Sequence, residues 1–287
     1  MTGFVYTVYL PGIKQTVSLT ELKFSDYKHL VKTLTNNNDE HINSAFNDII
    51  NKCCLQDVSM CTALDKALIL LTIRNVCISP ILDLVVTCSE TQKQFNCNAE
   101  FSSLIEKIQN FNINVSKEIT YGKDLSVIFD IPKDLYIPTD INALQSVINT
   151  VTIGDHSTQE TNLLVEKLPA VVLKDAKSYI SDISEKLNEF ELINITSPYG
   201  DNAPQVQITA NIFNGSVIEF LKICFKKNLM SIYELEYFLF KHNRISYDLM
   251  YNSTPAELAI YTSLYKEEQK EREKAEKGNE SIPLNSP

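Results

Sequence analysis

Cys88 and Cys97 flank a polar stretch with eight residues between them, and Cys53, Cys54 and Cys61 lie upstream. Thiolates are natural ligands for structural zinc, but a closed tetrahedral site needs four donors, normally two Cys-x-x-Cys knuckles on tight turns. Here each knuckle carries one cysteine. Two readings stay open: Cys88 and Cys97 as weak metal-ligand candidates completed by the upstream thiols, or free buried thiols in a reducing compartment. The odd total of seven cysteines and their apolar neighbours favour the second.

Other reactive types are less suggestive. Asp155-His156-Ser157 places a triad's residues in a row, but adjacent side chains point apart and cannot form the nucleophile–base geometry, so a linker turn is expected. His29, His41 and His242 have no suggested partner. The carboxylate pairs Glu267-Glu268 and Glu271/Glu273 lie in solvated surroundings, whereas acid–base pairs need environments that separate their pKa values. Seven glycines form no phosphate-cradling loop. No cofactor and no enzymatic activity are expected.

Bulk properties set further bounds. A 287-residue chain with 44% hydrophobic and 22% charged residues can bury a substantial core. Its formal charge of −10 argues against nucleic-acid binding, which rests on clustered Lys and Arg. The longest apolar run, Ala67–Leu71, falls well short of the roughly 20 residues of a membrane span, and no signal peptide is visible at the N-terminus.

The elements that must position these residues start with a hairpin, Phe4–Leu10 and Lys14–Leu19 across Pro11-Gly12. Helical spacing follows over 25–34 and 39–53. Thr62–Ile78 then reads as a helix with apolar residues on nearly every face, Leu70 and Leu71 at its centre, so it must be buried all round. Arg74 is the lone charge in its second half, and a buried guanidinium needs several acceptors. Ile81–Cys88 and Gln94–Glu100 read as a hairpin, a candidate contact element. A short helix near 104–108 and a strand pair, 112–121 and 125–131, come next. Thr139–Thr161 reads as a polar linker with a helix at 141–148.

Beyond it, a helix over 173–187, a hairpin over 189–213 and helices over 216–226 and 231–242 are expected. Tyr233, Tyr237, Phe238 and Phe240 recur at helical spacing, as core or as half core and half docking surface. A last helix starts with Thr254 as N-cap, Pro255 at the first helical position and Glu257 completing a capping box. Lys266–Lys277 is its charged, exposed part, stopped by Gly278. The fold class is α+β: an N-terminal β-hairpin plus helices with a mixed hairpin region, then a mainly helical C-terminal part. Expected domains are 1–138 and 139–277, the latter with a hairpin insertion near 189–213, followed by a loose tail, 278–287.

Four stretches, in this order, resemble the baseplate-hub assembly and subunit proteins of T-even-like contractile-tailed bacteriophages. They are Tyr9-Leu10-Pro11-Gly12-Ile13-Lys14 with Leu22-Lys23-Phe24; Asp65 through the apolar helix to Arg74; the strand–turn–strand Leu82–Ala99; and Asp248–Glu257 followed by Ile260-Tyr261. Two departures stand out. Cys77-Ile78-Ser79-Pro80 replaces Ser-Val-Gly-Glu-like residues, and single Cys88 and Cys97 stand where some relatives pair cysteines. The chain is also longer than a compact member, with the extra residues expected in 139–215. The resemblance implies a non-enzymatic morphogenesis protein that builds the central hub, as transient chaperone or permanent subunit. Its partners would be other baseplate or tail proteins, with homo-oligomerisation an option and no nucleic acid or membrane involved. It would reside in the host cytoplasm during assembly, or in the virion baseplate. The alternative is a small zinc- or thiol-containing regulatory or binding module.

Overall fold

The computed structural model describes residues 4–36, 38–111, 116–135, 140–153, 156–158, 168–200, 203–242 and 245–279. Strands β1 (Val5–Leu10) and β2 (Gln15–Thr20) form an antiparallel hairpin in which Val8 pairs with Val17. Val8, Leu10, Val17 and Leu19 are buried while Val5 and Tyr9 face outwards, the two-residue period of a half-buried sheet. Helices α1 (Phe24–Leu34) and α2 (Asp39–Cys53) follow, α2 capped by the Asn38 side chain, which accepts from the His41 amide at 3.0 Å.

Helix α3 (Ala63–Cys77) is the centre of the molecule. Leu68, Ile69, Leu70, Leu71 and Ile73 are each 0% exposed, so the helix is apolar all round because it is enclosed all round, by its own fold. Around it pack β1, α2, α4 (Phe101–Asn110), α7 (Ser216–Phe225) and α10 (Pro255–Asn279). Each fully buried Leu or Ile contributes about 1.5–3 kcal/mol relative to exposure, so this helix is the largest single source of core burial.

Strands β3 (Ile81–Thr87) and β4 (Gln94–Glu100) pair antiparallel, as the sequence predicts. Further on lie β5 (Lys117–Tyr121), β6 (Leu125–Phe129), α5 (Asp140–Ser146), β7 (Ile148–Ile153) and β8 (His156–Thr158). These strands form one antiparallel sheet in the order β5-β6-β7-β8. The polar linker expected over 139–161 is therefore, in its described residues, helix and sheet. Val151 pairs with Val127 and both are 0% exposed, which supplies the burial that the threonine-rich sequence conceals. The β6–β7 pairing also carries this sheet across the boundary expected at residue 138. Residues 112–115 of the expected strand, and Asp155 of the Asp-His-Ser run, lie outside the described residues.

The C-terminal part holds α6 (Ala170–Glu189), the hairpin β9 (Glu191–Thr196) and β10 (Pro204–Thr209), then α7, α8 (Leu229–Lys241), α9 (Tyr247–Asn252) and α10. Helix α9 was not expected; Ser246 caps it by accepting from the Leu249 amide at 3.2 Å. Gly278, expected to stop α10, is still helical, and 280–287 of the expected tail lie outside the described residues. The architecture is α+β, helices with small antiparallel sheets and a mainly helical C-terminal part.

Candidate functional site

The two ends of α3 gather the polar contacts that hold the fold together. At the N-terminal end Thr62 and Asp65 make a reciprocal capping box: the Asp65 amide donates to Thr62 Oγ1 at 3.2 Å and the Thr62 amide donates to Asp65 Oδ2 at 3.1 Å. Asp65 is 0% exposed, and its second oxygen accepts from the Gly12 amide at 2.9 Å. Gly12 sits against the carboxylate so closely that a Cβ there would lie 2.3 Å from Asp65 Oδ2. Burial pushes the Asp65 carboxyl above its ordinary value, opposed by the Gly12, Thr62 and Ile13 donors. The Leu-Pro-Gly turn and the aspartate that opens the apolar helix are thus one junction. The Thr62-x-x-Asp65 spacing is the sequence signal that could have found it.

At the other end Arg74 is half-buried. Its Nε donates to the carbonyl of Cys224 at 2.8 Å and an Nη to the carbonyl of Ser79 at 2.7 Å. Its guanidinium carbon lies 4.9 Å from the centre of the Phe101 ring. One side chain therefore holds the last turn of α7, the start of the β3–β4 hairpin and α4 together, which answers the expectation that this cation needs several acceptors. Leu70 and Leu71, named with it from sequence, are wholly internal and offer no outer surface.

A second junction fastens the C-terminal helices to α1. Lys28 Nζ donates to both Glu236 oxygens, at 2.5 and 2.7 Å, with side chains only 12% and 11% exposed. The Tyr251 hydroxyl donates to Glu236 at 3.0 Å. The Phe24 amide donates to the Ser253 carbonyl at 2.8 Å. Directly after it the Thr254 amide donates to Glu257 at 2.7 Å and the Glu257 amide to Thr254 Oγ1 at 3.2 Å, the expected capping box with Pro255 at the first helical position. No local pattern marks a pair such as Lys28 and Glu236, which are 208 residues apart.

Cys88 and Cys97 do not come together. Cys97 pairs with Leu84 on β3, and Cys88 lies four residues beyond Leu84, roughly 13 Å along the strand. Zinc–sulfur bonds are about 2.3 Å, so the two cannot share an ion. Hydrogen bonds from the Ser197 hydroxyl and from Thr91 hold the Cys88 thiol below its ordinary value. Burial raises the other six thiols, Cys53 and Cys54 to about 12 and Cys61 to about 11, which keeps them protonated and poor as ligands or nucleophiles. Among the described residues no group of three or more His, Cys, Asp or Glu could hold a metal.

The hairpin predicted as a contact element is partly used internally. The Ser89 amide donates to Gln205 at 2.7 Å and Phe95 meets Tyr199 edge-on at 6.3 Å, while Val85 remains 68% exposed. Exposed apolar surface is densest elsewhere: nine of the 21 large exposed hydrophobic side chains among the described residues fall within 229–264. Tyr233, Tyr237 and Phe240 are among these exposed side chains, whereas Phe238 is half-buried against His242 and Tyr265, so this aromatic group divides between packing and surface.

Among the described residues no helix is long and apolar enough to cross a membrane. A family model described as T4 bacteriophage base plate protein matches residues 1–215. The match takes in the Gly12–Asp65 junction, Arg74 and the β3–β4 hairpin. It also includes 139–215, where residues additional to the family were expected, and stops before the Asp248–Glu257 stretch. No curated protein and no solved structure matches the chain.

Proposed function

Because the chain belongs to the T4 bacteriophage base plate protein family, we propose that this baseplate structural protein acts by protein–protein contact in building the central hub of the phage baseplate. It serves there as an assembly factor or as a hub subunit. The observation that carries the reading is the position of the family match: it spans α3 with its Gly12–Asp65 junction and Arg74, while the Arg74 acceptor Cys224 lies beyond it, so the central helix and its N-terminal junction fall within the family's shared part. The exposed apolar side chains of 229–264, fastened to α1 through Lys28–Glu236, support docking rather than catalysis. Burial raises six of the seven thiols, which further favours contact over covalent chemistry.

On this reading the protein works in the host cytoplasm during assembly, and its partners are other baseplate or tail proteins. Phage carrying an amber codon early in the gene should fail to make complete baseplates in a non-suppressing host, and the purified protein should bind hub components directly. Normal baseplates in that host would sink the proposal. Mass spectrometry of mature virions separates the two roles: a subunit is retained, an assembly factor is not.

A further inference from the structure

We draw no further inference here: the strongest candidate, the surface patch of exposed apolar side chains along α8 and the first turns of α10, including Met230, Tyr237, Ile260 and Leu264, carries nothing because nothing in the structure shows what covers it.

Discussion

The Gly12 amide donates to Asp65 Oδ1 at 2.9 Å, joining the turn of the N-terminal hairpin to the first turn of the central helix. The same carboxylate holds Thr62 through its other oxygen. One buried side chain therefore caps α3 and sets where the hairpin lies against it.

Gly12→Ala should be costly. The added methyl would lie 2.3 Å from Asp65 Oδ2 and 2.8 Å from Thr62 Oγ1, and both residues are buried. Overpacking of this kind costs about 1–3 kcal/mol, read as a lower urea midpoint at unchanged slope. A loss below about 0.5 kcal/mol would mean that the turn moves away freely.

Asp65 also makes a pH prediction. Its native carboxyl titrates above the 3.8 of the ordinary group, so over that interval the folded state keeps a proton that the unfolded chain has released. Stability from this group is complete below 3.8 and declines as pH rises through the raised native value. The stability difference between the parent and Asp65→Asn, followed by urea titration across this range, should shift against the parent as pH rises. A difference independent of pH would refute the burial argument.

Removing Arg74 should loosen three elements together. Arg74→Ala orphans the Cys224 and Ser79 carbonyls and uncovers Phe101, with an expected loss of about 2–4 kcal/mol. Arg74→Lys keeps the charge but not the planar fork, and should recover less than half of that. If lysine served as well as arginine, the two directed bonds would not be the reason for the residue.

Lys28 and Glu236 should behave as a pair. Either single alanine variant leaves a nearly buried charge uncompensated and should cost about 3–5 kcal/mol. Lys28→Met/Glu236→Leu should fall within about 1 kcal/mol of the parent, because removing both charges removes their desolvation penalty as well. Additive losses in the double variant would show that the two residues act separately.

Local signals carried most of the elements. The over-apolar run of Thr62–Ile78, the Pro11-Gly12 turn and the Thr254-Pro255-Ala256-Glu257 start each determine their structure within a few residues, and the structure has them in place. The strand β7 was hidden because adjacent Asn149 and Thr150 break the two-residue alternation of Ile148-Asn149-Thr150-Val151-Thr152-Ile153, whose burial comes from pairing with β6. Helix α9 was hidden by shortness: six residues hold their shape by packing and by the Ser246 cap, not by periodicity. Of the anchors, Arg74 stood out as a charge in an apolar helix. Its acceptor Cys224 is 150 residues away, and distance of that kind leaves no mark in a local pattern.

The bond from Phe24 to Ser253 gives the fold a timetable. Helix α1 receives its final backbone partner only after 253 − 24 = 229 further residues have been made, which at about 5–20 residues per second takes roughly 10–50 s on the ribosome. Until then Phe24 and Lys28 both lack the groups that engage them in the finished protein. During synthesis the N-terminal face of the nascent chain is therefore open, and it closes only when the last helices emerge and fold back over the first.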